Sequence, residues 1–404
     1  MSEEIRGSAD GAATPRRRRI VEPIQAFLRT EAASGALLLA AALLALALSN
    51  SPLASVYDAV LEADASLRLG PIAVSLDVHG WVNEALMALF FLVVGLEIKQ
   101  ELLHGELRDP RAAALPAIAA VGGMVAPALL FLALTAGSDA ARGWGIPMAT
   151  DIAFAVGVLA LVGRGAPTGL KVFLLTLAIV DDMGAIAVIA AFYSGSVAWA
   201  PLAAAAGIAL LILALRRVGR CPWPVFAVLG VALWYATYRS GVHATVAGVV
   251  LGFVAPVAPA GSDGCDALEL LEDRLHPWTS FAVLPLFALA NAGVHLSSEA
   301  VSGALGGRVA LAIVVAQVVG KIVGITVASV LAVRLGLGRL PDGVTWRGVV
   351  GASAVAGIGF TVALFVARLA FPSGVVADEA RIGILVGSTL AGLLGYAVLR
   401  ERRA

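Results

Sequence analysis

The sequence predicts an all-α membrane protein of about twelve transmembrane helices, and three observations carry that prediction. Hydrophobic residues make up 60% of the 404-residue chain and charged residues only 14%, with a mean hydropathy of +0.92, a balance foreign to a water-facing surface. Apolar stretches close to the roughly 20 residues needed to cross a hydrocarbon core recur along almost the whole length. Lys and Arg are divided unequally between alternate connecting segments. Basic and acidic residues cancel at 28 each, so net charge gives no sign of a nucleic-acid or acidic partner. Two cysteines, Cys221 and Cys265, are too few for a disulfide framework or a cysteine metal site.

In order, the spans are read at 32–50, 78–98, 112–136, 145–163, 172–193, 198–215, 225–240, 241–256, 277–296, 309–333, 348–367 and 382–399. They make residues 31–400 one transmembrane domain, between a disordered basic tail (1–30) and a short end (401–404). The apolar run Ala36 to Leu48 resembles a signal peptide in length, but its removal would leave eleven spans and spoil the alternation of charge. The first helix is therefore retained. The seventh and eighth spans are short. With the N-terminus in the cytoplasm, inner segments hold 21 of the 28 basic residues and outer loops six: Arg68, Arg142, Arg239, Arg308, Arg368 and Arg381. Lys321 falls inside a span. This split fits twelve helices with both termini cytoplasmic. The run Arg16–Arg19 is read as setting topology and attracting anionic lipid rather than nucleic acid. The acidic 257–276 loop (Asp263, Asp266, Glu269, Glu272, Asp273) falls inside without contradiction, because acids weigh little in the orientation rule.

Four charges lie deep within spans: Asp151, Asp181, Asp182 and Lys321. Each would cost about 2.5–3.5 kcal/mol at a lipid-facing helix centre, so they must face one another or a wet cavity. Three carboxylates against one ammonium exceed what a structural ion pair requires. The surplus must be neutralised by protons or by a metal cation. Adjacent residues on a helix diverge by about 100°, so one of Asp181 and Asp182 lines the ion path while the other pairs with a neighbouring helix. Two carboxylates this close in a low dielectric resist ionising together, and a site that takes either a proton or a cation has the minimal chemistry of exchange. Sodium and lithium are hard ions suited to a carboxylate supported by a Thr hydroxyl and backbone carbonyls.

Two interrupted segments supply such groups. One is Gly145-Ile-Pro-Met-Ala-Thr-Asp-Ile-Ala-Phe-Ala-Val-Gly157, where Pro147 and the glycines favour a break that frees carbonyls beside Asp151. The other is Gly351-Ala-Ser-Ala-Val-Ala-Gly-Ile-Gly-Phe-Thr361. Thr150 and Thr361 are 211 residues apart, and the same offset relates the third span to the tenth, the pattern of an inverted repeat. Gly320xxxGly324 and Gly383xxxGly387 are read as close-packing contacts.

At these residues the sequence resembles bacterial sodium/proton antiporters of the NhaA family, from about residue 30 to 400. The motifs are Phe90-Phe-Leu-Val-Val-Gly-Leu-Glu-Ile-Lys99, Ala149-Thr-Asp-Ile-Ala-Phe154, Leu177-Ala-Ile-Val-Asp-Asp-Met-Gly-Ala185, Ser240-Gly-Val-His-Ala-Thr245, Leu275-His-Pro-Trp278, Leu284-Pro-Leu-Phe-Ala-Leu-Ala-Asn-Ala-Gly293 and Gly320-Lys321. The resemblance implies two broken helices crossing at the midplane and electrogenic exchange of cytoplasmic Na+ or Li+ for external H+ in the inner membrane, with no cofactor. It implies Asp182 as principal cation ligand and proton carrier, with Asp181 beside it, and Lys321 neutralising Asp181. Asp151 with Thr150 would offset the positive half-helix ends. It assigns pH sensing to Glu97, Glu101, Glu272, His276 and His243, and it implies a homodimer, for which the polar 51–77 loop is one contact. Two departures, Glu84 after Asn83 and the stretch Asp273-Arg274, bear on the pH threshold. Two other classes compete. An aspartyl protease dyad would need a Gly-X-Gly-Asp signature, but Phe360 follows Gly357-Ile-Gly359. A cation channel would be hindered by a buried Lys321.

Overall fold

Apolar runs of this length fold as helices because hydrocarbon offers no partner to a backbone N–H or C=O, so each segment must satisfy its own. The computed structural model describes residues 15–70, 72–162, 167–218, 222–256, 267–296 and 307–400. Arg6, Arg164, Arg220, Cys221, Asp263, Cys265, Asp266 and the end 401–404 lie outside the described residues. Among the described residues, seven helices are long and apolar enough to cross a membrane: α1 (Pro15–Ser49, through its part Ala32–Ser49), α3 (Val78–Leu103), α4 (Pro110–Thr135), α6 (Thr168–Phe192), α7 (Trp199–Arg217), α12 (Arg308–Arg334) and α15 (Val375–Arg400). Two bent pairs raise the number to nine. One joins the 3-10 segment Asp139–Met148 to α5 (Ile152–Val162) at 45°, and the other joins α13 (Trp346–Val355) to α14 (Phe360–Ala370) at 48°. The chain is a multi-pass membrane protein. Large apolar side chains such as Leu129, Leu161, Leu210 and Val228 stand exposed on its flanks, as a hydrocarbon solvent requires.

Among the remaining read spans, α8 (Trp223–Arg239) has 17 residues and α9 (Thr245–Val254) only ten. The ninth falls on α10 (Ala267–Trp278), a π turn (Thr279–Val283) and α11 (Leu284–Asn291).

The described part of the basic tail, from residue 15, is helical. Helix α1 begins at Pro15, so Arg16–Arg19 occupy its first turns rather than a disordered segment. Proline is well suited to a first helical position, and arginine has good helix propensity. The polar 51–77 stretch also holds more than a loop: α2 (Ala54–Leu61) and an antiparallel hairpin of β1 (Leu67–Leu69) and β2 (Ile72–Val74), absent from the all-α expectation. Gly70, at φ 60°, supplies the left-handed residue of its turn. Ahead of the hairpin, Asp64 accepts from the Ser66 amide at 2.9 Å and the Ser66 hydroxyl at 2.5 Å, and these bonds hold its carboxyl below the usual range.

Small residues set how closely the spans approach. A Cβ on Gly320 would lie 2.8 Å from the Cα of Pro127, and one on Gly324 would meet the carbonyl of Gly122, so α12 rests directly on the backbone of α4. Likewise a Cβ on Gly383 would lie 2.9 Å from the Cα of Ala310. Gly95 of α3 faces Gly252 and the Val249 carbonyl of α9 with as little room.

Candidate functional site

The two helix breaks meet. Between the 3-10 segment and α5, Ala149, Thr150 and Asp151 run non-helically. Between α13 and α14, Ala356–Gly359 do the same. The Asp151 amide donates to the Ile358 carbonyl at 2.6 Å, and the Thr150 hydroxyl donates to the Ala356 carbonyl at 2.8 Å. Carbonyls freed at the end of α13 are thus satisfied by the opposing break. Asp151 answers the opposite need. Its Oδ1 accepts from the Phe154 amide at 3.1 Å, capping α5, while its Oδ2 accepts from the Thr361 amide at 3.1 Å and the Thr361 hydroxyl at 2.6 Å at the start of α14. One carboxylate therefore serves two helix N-termini, where a negative charge is favoured by both dipoles and by the orphan amides. The family resemblance implied a place for Asp151 at the half-helix ends. It did not anticipate that Thr361 would be the partner.

Helix α6 carries the adjacent aspartates into unlike surroundings. The Lys321 ammonium donates to Asp181 Oδ2 at 2.8 Å and to the Thr150 hydroxyl at 2.9 Å, with Lys321 and Asp181 both 0% exposed. Thr150 thereby links the ammonium to the break, receiving from Lys321 and donating to Ala356. A π turn at Ala316–Gly320 immediately precedes Lys321; such turns re-aim the residues that follow them. Asp182, rotated about 100° around α6, turns away from this cluster. It lines a cavity of about 420 Å³ and, at 4% exposed, takes part in none of the described hydrogen bonds.

That cavity is a funnel. Thr150, Asp151, Asp182 and Thr361 stand at its inner end. Glu97, Glu101, Glu272 and His276 line it nearer the ends of α3 and α10, the face that carries most of the basic loops. His276 Nε2 lies 3.9 Å from Glu97 Oε1, and Glu101 accepts from the Glu106 amide at 2.8 Å. Four of the five residues read as pH-sensing are therefore neighbours along one wall. His243 is not among them. It sits between α8 and α9, donating through Nε2 to the Tyr193 carbonyl at 2.8 Å and placing Nδ1 3.5 Å from Glu84 at the start of α3.

One buried charge escaped the sequence reading. Lys99, counted there as a topology-setting base, is 7% exposed, and its ammonium donates to the Ala255 carbonyl at 2.5 Å, at the C-terminal end of α9. Glu84 accepts from the Ala244 amide at 3.1 Å at the other end of the same helix. An acid at the N-terminus and a base at the C-terminus both complement the helix dipole. Their only sequence signal is the pairing of a charge at each end of α3 with a short apolar helix.

Known proteins are similar to this chain along nearly its full length. An Na+/H+ antiporter of Rhodospirillum rubrum is 47% identical over 393 residues, covering 95% of this chain and 98% of that protein. Antiporters of Serratia proteamaculans and Shewanella frigidimarina are each 46% identical, over 382 and 376 residues, covering 93% and 92% of this chain and 97% and 95% of theirs. The family model described as Na+/H+ antiporter 1 matches residues 25–399, and the chain belongs to that family.

Proposed function

We propose that this protein is an electrogenic, pH-regulated secondary transporter exchanging cytoplasmic Na+ or Li+ for external H+ across a bacterial inner membrane. Its relatives are named for Na+/H+ antiport, and the charge split between loops supports cytoplasmic termini. The observation that carries the mechanism is the contrast within α6: Asp182 faces the funnel with none of the described hydrogen bonds, while Asp181 is held by Lys321. A carboxylate available at the end of an aqueous path is occupied by a proton or by a hard cation, not by both. Cation entry at Asp182 therefore expels a proton. In this cycle Lys321 neutralises Asp181 when no cation is bound and itself carries a proton, which makes the exchange electrogenic. Asp151 and Thr150 keep the crossing balanced while the carboxylates of α6 change charge. Glu97, Glu101, Glu272 and His276 line the funnel and are its pH-sensing groups, setting its affinity for cations, with His243 acting from the other face.

The same reading takes the architecture as twelve helices in two inverted repeats with the crossing at the midplane. Support comes from the 211-residue offset of Thr150 and Thr361, whose breaks bond to each other. The protein works as a homodimer in anionic lipid, without a cofactor. The deciding experiment is collapse of ΔpH on adding Na+, Li+ or K+ to energised everted vesicles. Asp182→Asn is expected to abolish the response. Wild-type exchange by that variant would remove Asp182 from the ion site.

A further inference from the structure

We infer that Phe365 is the gate that closes the funnel toward the external face, and that the Glu84–His243 pair behind it lines the external approach to the ion site. The inference rests on the exchange reading and the orientation given above. Phe365 follows Thr361 by one helical turn on α14, about 6 Å further along the axis. Thr361 lines the funnel; Phe365 does not. Its ring centroid lies 5.7 Å from that of Phe91 on α3 and 6.3 Å from that of Phe287 on α11, and all three side chains are buried. The rings thus bridge the contact between α14, whose Thr361 bonds Asp151, and the helices across the funnel.

On its far side Phe365 meets the His243 ring edge-on at 6.5 Å. His243 and Glu84 are partly exposed there, at 19% and 22% of their side-chain surface. From the cytoplasmic end outward, the order is therefore a polar funnel, a single layer of aromatic rings, and a polar pair reached by solvent. An apolar constriction of this kind blocks ions and protons by refusing to hold water. A ring swing or a small separation of α14 from α3 and α11 would join the two polar regions, and that is the step at which external protons gain the site.

The test uses intact cells expressing the full chain with Cys221→Ser and Cys265→Ser, and Val362→Cys as a reporter in the funnel wall. A membrane-impermeant thiol reagent is applied from outside. Adding Phe365→Ala is expected to raise the labelling rate several-fold over the parent, and to let ΔpH decay without sodium in everted vesicles made from the same cells. Phe365→Leu, which keeps an apolar plug, is expected to stay near the parent in both readouts. Unchanged labelling and no leak in a monodisperse Phe365→Ala protein would overturn the gate. If that variant does not fold, Phe287→Ala, which thins the same layer from another helix, is read by the same criteria. Exchange by the cysteine-substituted parent separates the two questions: a parent without exchange defeats the underlying reading, whereas an exchanging parent with a sealed Phe365→Ala funnel defeats the gate alone.

Discussion

Asp181 and Asp182 are consecutive on one helix, yet they belong to opposite kinds of environment. On the Asp181 side, ammonium, hydroxyl and carbonyl close a chain from Lys321 through Thr150 to Ala356 with bonds of 2.8–2.9 Å. On the Asp182 side, the carboxylate faces a funnel of about 420 Å³. In the cation-free state the buried ion pair and its supporting bonds brace the fold, and deleting either partner is costly. A carboxylate left to the solvent path can change its occupant without disturbing its neighbours. The difference teaches that a carboxylate's surroundings, more than its chemistry, separate a brace from a binding group.

Stability measurements can break that comparison. Lys321→Ala is expected to cost about 3–5 kcal/mol, because it strands a fully buried carboxylate, while Asp182→Asn is expected to change stability by less than about 1 kcal/mol, as a residue outside the hydrogen-bonded frame should. Unfolding both variants in mixed micelles would measure the gap, and equal losses would erase the distinction between the two sides. The next effect in size concerns the crossing. Thr361→Val removes the hydroxyl bond to Asp151 and is expected to cost about 1.5–3 kcal/mol, as a bond to a charged group does. A near-neutral result would mean that the remaining amide bonds alone hold Asp151.

The smallest effect lies at the molecule's edge and shows how differently a solvated carboxylate behaves. Asp64 is held below its ordinary titration range by the two bonds from Ser66. A depressed folded-state pKa contributes stability that is present above the unfolded value, near 3.9, and is lost as pH falls through the folded one. The loop leading into the hairpin is therefore expected to loosen only below about pH 4. Ser66→Ala, which keeps the amide bond but removes the hydroxyl, should move the Asp64 titration upward in an NMR pH series, and an unmoved titration would rule out the Ser66 hydroxyl as its cause.

What the sequence made legible follows from contrast. Asp151, Asp181, Asp182 and Lys321 stood out because a charge in an apolar run is an energetic anomaly, and the breaks stood out because Pro147 and clustered glycines interrupt a regular pattern. The split of Asp181 from Asp182 followed from helical geometry alone. Lys99 stayed hidden because a lysine near a helix end looks like an ordinary topology signal; only the fold brings it to Ala255, 156 residues away. His243 and Glu84 are likewise joined across 159 residues by tertiary packing. Phe365 is one of 14 phenylalanines, and nothing local distinguishes it. Helix α1 reaches Pro15 because helix propensity continues where hydropathy stops. The hairpin's three-residue strands are too short for a period-2 pattern to register.

The glycine contact between α3 and α9 has a mechanical consequence. Gly95 and Gly252 meet with no side chain between them, and the Lys99 and Glu84 bonds pin the two ends of α9. Such a joint is keyed: neither helix can slide or roll along the other without first lifting away, which would break contacts along the whole seam. The wall that carries Glu97 therefore travels with α9 as one body, and any change in the funnel's width is a displacement of that pair relative to the helices that face it.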